Sequence, residues 1–301
     1  MANLEDESKV LRPTPERPAG FDPVALSLAT NIDRSECKRV VPMKVLCLGL
    51  SRTGTSSLRQ AFFDLGIHDV YHYSSIVNEN PPDAKLWVRA LEWKLKGKGT
   101  WEKKDWDALL GHCMALSDHP CLTFYDELLE TYPDAKVILT VRDNVDVWHD
   151  SVMETIWPFV ELLILPDVSV WRKIWRLFLD ESPFQRMNEL FHLNPNGMYH
   201  KFPTQGKGFY KKHNEWIKTI VPNERLFVYN IKQGWAPLCE FMGYEAPKWP
   251  FPRVNERNVF ITHQEKFGSN LNVVVAKNMG KYVASSLAVV LGAWYMLRRY
   301  R

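Results

Sequence analysis

The stretch LCLGLSRTGTSS (46–57) constrains this chain more than any other. It closes the apolar, β-branched run VPMKVLCLGL (41–50), which reads as a strand buried on both faces. It then opens SSLRQAFFDLGI (56–67), where Leu58, Ala61, Phe62 and Leu65 recur at helical spacing. Strand, glycine loop and helix form the context in which backbone N–H groups at a helix N-terminus cradle a phosphate. Gly49 and Gly54 have four residues between them, as in a nucleotide-binding P-loop, but the lysine expected after the second glycine is Thr55. That lysine neutralises the β/γ-phosphates of a bound triphosphate, so ATP or GTP hydrolysis is not expected. Arg52, two residues before Gly54, is the nearby cation. The N–H groups of Thr53, Gly54, Thr55, Ser56 and Ser57 still suit one phosphate.

Further along, CMALS (113–117), AKVILTVRD (135–143) and RLFVYNI (225–231) read as three more strands, making four. Helical stretches separate them: 80–112 with a basic bend, TFYDELLETYP (123–133), NVDVWHDSVMETI, GFYKKHNEWIKTIV (208–221) and WAPLCEFMGY (235–244). Strands alternating with helices predict an α/β chain, a three-layer P-loop nucleotide-binding fold around a central parallel sheet. Residues 155–205 interrupt it as an aromatic-rich helical insert, with two or three helices between 155 and 192. VILTVRDNVDVWHDS (137–151) places Arg142 and Asp143 at the carboxyl end of a buried strand, where open α/β sheets bind ligands, and Ser151 on the helix that follows.

Both ends differ from this body. Residues 1–40 are polar and Pro-rich, without a secretory apolar core, and read as a flexible arm. Residues Tyr282 to Leu297 carry no charge and are flanked by Lys281 and Arg298. The run is shorter than the roughly 20 residues of a full span, but flanking Lys and Arg can snorkel to extend it. The expectation is a C-terminal hydrophobic helix acting as a tail anchor, with the body facing the cytosol; an amphipathic or core helix is the alternative. The divisions are then an arm (1–40), the P-loop domain (41–262), a linker (263–281) and the anchor (282–297). Five cysteines without C-x-x-C or Cys/His spacing point to reduced thiols and no metal site. A formal charge of +3 without a basic, aromatic-interleaved stripe argues against nucleic acid. Twelve tryptophans suggest large aromatic-lined surfaces.

Taken together, GLSRTGTSSL, YHYSSI, SDHP, ELLETYPDAKVILTVRD, FYKKHNEWIKTIVPNERLFVYNIKQGWAPLCEFMG and FPRVNE resemble the fungal-rich P-loop sulfotransferase-like family, over about residues 43 to 260. That family is often labelled NAD-dependent epimerase/dehydratase, and it resembles the sulfotransferases that use 3'-phosphoadenosine-5'-phosphosulfate (PAPS). The resemblance implies PAPS as cofactor, with Arg52 and residues 53–57 on the 5'-phosphosulfate and Arg142 and Ser151 on the 3'-phosphate. The chain departs from the family's pattern here: the arginine-to-serine spacing is one residue longer, so Asp150 stands in the usual serine slot and a shift is needed to bring Ser151 round, and Asn144 stands where a proline commonly follows the Arg-Asp pair.

The implied reaction moves a sulfuryl group to a hydroxyl of a hydrophobic small molecule or lipid-like acceptor. The insert's Trp157, Phe159, Trp171, Trp175, Phe178 and Phe191 suit an apolar pocket or, equally, helical packing. A base must take the acceptor proton. In ALSDHPC, Asp118 holds the slot of the family's histidine, with His119 beside it as second candidate. Asp118 also fits a helix N-cap, and His72 in VYHYS is a weaker candidate. Arg253 and Arg257 could close over the 3'-phosphate or form a solvated pair. Two rival readings are a non-catalytic membrane-tethered nucleotide fold, favoured by Asp150, and an NAD-dependent enzyme. The second is disfavoured: the glycines are too few, and Pro133 breaks the helix that Tyr132 and Lys136 would share.

Overall fold

The computed structural model describes residues 11–14, 30–163, 182–254, 276–283 and 287. Along the chain run β1 (Val45–Cys47), α1 (Thr55–Asp64), β2 (Val70–Tyr71), α2 (Asp83–Lys96), α3 (Lys103–Leu110), β3 (Ala115–Leu116), α4 (Tyr125–Thr131) and β4 (Lys136–Thr140). Then come α5 (Val145–Leu163), α6 (Pro183–His192), α7 (Phe202–Ile220), β5 (Leu226–Tyr229) and α8 (Trp235–Met242). The sheet has five strands in the order β2-β3-β1-β4-β5, and every pair is parallel. Parallel neighbours require crossover connections, and helices supply them between all successive strands.

Alternation along β1 separates two apolar layers. Val45 and Cys47 join Leu58, Ala61 and Phe62 of α1 and Leu238 and Cys239 of α8 in one cluster with Val70, Ala115 and Ile138. Tyr71, one residue on from Val70, meets Trp87 of α2, and Trp87 in turn meets Trp106 of α3 and Phe124. The three-layer α/β expectation is thereby met. Trp87, Trp106 and Trp148 are fully or almost fully buried, so these tryptophans build the core rather than the aromatic surfaces expected from their number.

The sequence reading missed β2 and so counted four strands. Val70 and Tyr71 pair with Ala115 and Leu116 over two residues only, too short a run for alternation to be visible. The described part of the N-terminal arm is tied down rather than flexible. Arg39 bonds the Val41 and Cys113 carbonyls and the Tyr132 hydroxyl, and Asn80 holds Ile32. Residues 155–163 continue α5 rather than starting a new helix, and α6 packs on α2 through Arg186 and Glu92. Trp171, Trp175 and Phe178 lie outside the described residues. Contacts divide the chain into two units, 1–158 with 183–254, and 159–182 with 255–301; the sheet lies in the first. In the second, residues 276–283 and 287 are helical, so a helix crosses the expected linker–anchor boundary at 281. Most of the expected anchor, 282–297, lies outside the described residues. Among the described residues no helix is long and apolar enough to cross a membrane.

One close approach fixes the geometry at the end of β1. A Cβ on Gly49 would lie 1.8 Å from the Thr140 hydroxyl and 2.6 Å from the Thr140 backbone nitrogen and oxygen. Backbone cannot yield cheaply, so Gly49→Ala must push β1 and β4 apart. Gly49→Ala is expected to cost about 3 kcal/mol, at the upper end of overpacking penalties. Urea unfolding of the full chain measures it as a lowered midpoint at unchanged slope.

Candidate active site

Because every strand is parallel, the residues leaving β1, β2, β3 and β4 emerge at one end of the sheet, the carboxyl end of its strands. Arg52 follows β1, His72 follows β2, Asp118 follows β3 and Arg142 follows β4. Three non-glycine residues among those described have a left-handed backbone: Arg52 (φ 69°), Asp118 (φ 65°) and Lys201. Each such residue costs roughly 1–2 kcal/mol, and strain of this kind concentrates where geometry serves a function.

Arg52 is buried, and its Nε donates to Ser151 Oγ at 3.2 Å. Its carbonyl accepts from Arg142 Nε at 2.9 Å, and the Trp148 indole donates to the Ser51 carbonyl at 2.9 Å. Three of the residues expected at the two phosphates, Arg52, Arg142 and Ser151, are therefore brought together. Helix phase decides which α5 residue faces them. Trp148, Val152 and Thr155 are wholly buried, a stripe at i, i+4 and i+7. Ser151, three residues on from Trp148, borders that stripe, whereas the Asp150 side chain, two residues on, is 73% exposed. No shift of the kind expected from the long spacing is needed, and Asp150 does not occupy the serine's place.

Within the loop, Thr53 is an internal staple: its hydroxyl donates to the Leu50 carbonyl and shares a hydrogen bond with Thr140. Gly54, at φ 101°, precedes α1 and has no side chain with which to satisfy the first-turn N–H groups of Thr55, Ser56 and Ser57. No acidic residue lies in that turn. Thr55 Oγ1 meets His72 Nε2 at 3.2 Å, and Ser57 Oγ accepts from the Val254 N–H. The residue after Arg253 thus reaches the loop; Arg253 itself is exposed, and Arg257 lies outside the described residues.

The structure separates the two candidate bases. Asp118 accepts a short hydrogen bond from the Ser51 hydroxyl and lies 3.4 Å from His72 Nε2. Its side chain does not cap the helical turn that follows, which is entered through Pro120. His119 turns the other way, stacked on Phe191 at 5.4 Å and tilted against Tyr199 at 5.7 Å. Neither of its ring nitrogens has a hydrogen-bond partner among the described residues. Burial pushes the His119 imidazole down to about 4, against the opposing pull of the Asp118 charge. Burial likewise raises the Tyr199 phenol, and Asp118 adds to the rise.

Sequence reasoning missed Ser51, Tyr199, Trp148 and Tyr210, whose hydroxyl accepts from the Arg142 N–H at 2.8 Å. The Tyr132–Lys136 pair shares no helix face. Tyr132 ends α4 against Arg39 and Asp107, while Lys136 opens β4 and donates to the Phe241 carbonyl. Among the described residues no group of His, Cys, Asp and Glu could hold a metal ion.

A family model described as "Sulfotransferase domain" matches residues 44–260. The chain is also similar to "Ava biosynthesis cluster protein M" of Aspergillus versicolor, 32% identical over 272 residues, covering 85% of this chain and 98% of that protein.

Proposed function

The chain belongs to the sulfotransferase domain family, and on that premise we propose that it transfers a sulfuryl group from PAPS to a hydroxyl of a hydrophobic acceptor, with Asp118 as the base. The observation that carries this reading is the joining of Arg52, Arg142 and Ser151 beside the uncapped start of α1. That donor-rich set, two guanidiniums and a hydroxyl at a helix N-terminus, fits an anionic nucleotide.

When bound, PAPS supplies the sulfuryl group: its sulfur–oxygen bond to phosphate breaks as one to the acceptor oxygen forms. Arg52 and the first-turn N–H groups of α1 hold the negative charge of the leaving phosphate. Arg142 and Ser151 hold the second phosphate. Asp118 takes the acceptor proton, its rotamer fixed by the Ser51 hydroxyl. Tyr73, Phe191 and Tyr199 gather around Asp118 and His119 and give the acceptor side an aromatic character.

Thermal unfolding with ligands tests this. The desulfonated nucleotide, 3'-phosphoadenosine-5'-phosphate (PAP), at about a hundred times its dissociation constant stabilises by about 2.7 kcal/mol, a rise of roughly 5–10 °C for a domain of this size. ATP and NAD are expected to give smaller shifts. A larger shift with NAD would restore the dehydrogenase reading, and no shift with any of the three would leave a nucleotide fold without its ligand.

A further inference from the structure

His72 leaves β2 and is buried. Its Nδ1 accepts from the backbone N–H of Ser74 at 3.2 Å. The Ser74 hydroxyl lies 3.1 Å from the same nitrogen. That hydroxyl in turn accepts from Arg59 Nη1 at 2.9 Å, which leaves its own proton to point at Nδ1. Arg59 is anchored besides by Glu79 and the Val70 carbonyl. A backbone N–H cannot reverse its direction, so Nδ1 is an acceptor and the neutral ring carries its hydrogen on Nε2. That edge faces Thr55 Oγ1 at 3.2 Å and Asp118 Oδ2 at 3.4 Å.

We propose that His72 is a positioning residue, an Nε2–H donor that ties the base Asp118 to Thr55 in the first turn of the phosphate loop. Ser51 holds Oδ1 of the carboxylate and His72 faces Oδ2, so the base is fixed from both sides relative to the anion site. Without the imidazole edge one oxygen loses its partner, and Asp118 can rotate away from an acceptor hydroxyl. Such misplacement acts on proton removal and leaves nucleotide binding to Arg52, Arg142 and the helix N-terminus. This inference rests on the sulfotransferase reading for its chemistry, but its geometry can be tested alone.

The first measurement is a long-range proton–nitrogen spectrum of the full chain labelled with 15N-histidine, with the His72 ring assigned by its loss in His72→Leu. The expected pattern is the Nε2–H tautomer at pH 7.5; an Nδ1–H ring or an imidazolium overturns the proposal. The second measurement compares turnover of PAPS, with 2-naphthol and with water as acceptors, in wild type, His72→Leu and His72→Gln. Gln keeps an amide N–H near the position of Nε2–H, and Leu does not. His72→Leu is expected to lower turnover at least tenfold while PAP affinity stays within about threefold, and His72→Gln to recover most of the loss. Equal turnover in the two variants, or a loss confined to PAP affinity, overturns it. If PAP fails to stabilise the wild type, the sulfotransferase reading falls and the spectrum still decides the tautomer. If PAP stabilises it and the tautomer is wrong, this inference alone falls.

Discussion

Arg52→Ala is expected to weaken PAP binding by roughly 30- to 1000-fold. The substitution deletes a buried guanidinium whose Nε already points at Ser151 and whose carbonyl already holds Arg142. Removing a charged donor that faces a phosphate costs about 2–4 kcal/mol, because the anion keeps its desolvation penalty and loses its partner. The backbone does not complicate the comparison: alanine at φ 69° is no more strained than arginine there. Isothermal titration with PAP on the full chain measures the change. Arg52→Lys serves as control, since an ammonium restores the charge without the planar fork, and it is expected to recover part of the affinity. Affinity within threefold of wild type in Arg52→Ala would remove the arginine from the binding site and take the proposed reaction with it.

The residues in that prediction show which parts of the site the sequence makes visible. The β1–loop–α1 unit is local: apolar run, glycine loop and helical period lie within about 25 consecutive residues, and each constrains the next. Arg142 was legible for a related reason, standing where an apolar strand stops, and Asp118 through the resemblance that gives it the slot of the family's histidine. Ser151 was legible as a type but not in orientation. Counting from Arg142 put Asp150 in the slot, whereas the helix takes its rotation from the buried stripe of Trp148, Val152 and Thr155. That stripe forms only when α5 docks, so spacing alone could not phase it. The partners of the base were hidden by distance: Ser51 lies 67 residues from Asp118 along the chain. His72 follows a two-residue strand that no period can reveal. His119 shows the opposite failure. Adjacency to Asp118 made it a candidate, and the turn after β3 sends the two side chains in different directions.

That buried ring leads to the second large effect, on stability in acid. Burial pushes His119 down to about 4 and His192 to about 3, and pushes the less deeply buried His112 down to about 4. In the unfolded chain each titrates near 6.5. Between those values the unfolded state binds a proton that the fold refuses, so acidification from pH 7 draws the equilibrium towards unfolding. Among the described residues two carboxyls oppose the trend: burial raises Asp126, and it raises Asp83 to about 6. The fold therefore takes those protons before the unfolded chain does and gains stability as pH falls. At about 1.36 kcal/mol per unit, His119 and His192 each cost roughly 3 kcal/mol by pH 4.5, and Asp83 returns roughly 2. With a smaller share from His112, the net loss is on the order of 5 kcal/mol, comparable to the whole stability of a marginal domain. Urea unfolding at steps from pH 7.5 to 4.5 measures it, and a flat profile would mean that these rings are not held neutral in the fold. His119→Phe isolates one contribution, since a phenyl ring keeps the stack on Phe191 and cannot take a proton. That variant is expected to shed less stability on acidification, by roughly 3 kcal/mol at pH 4.5. Turnover loss in the same variant, with the acid profile unchanged, would instead return His119 to the proton-transfer role that its stacking argues against.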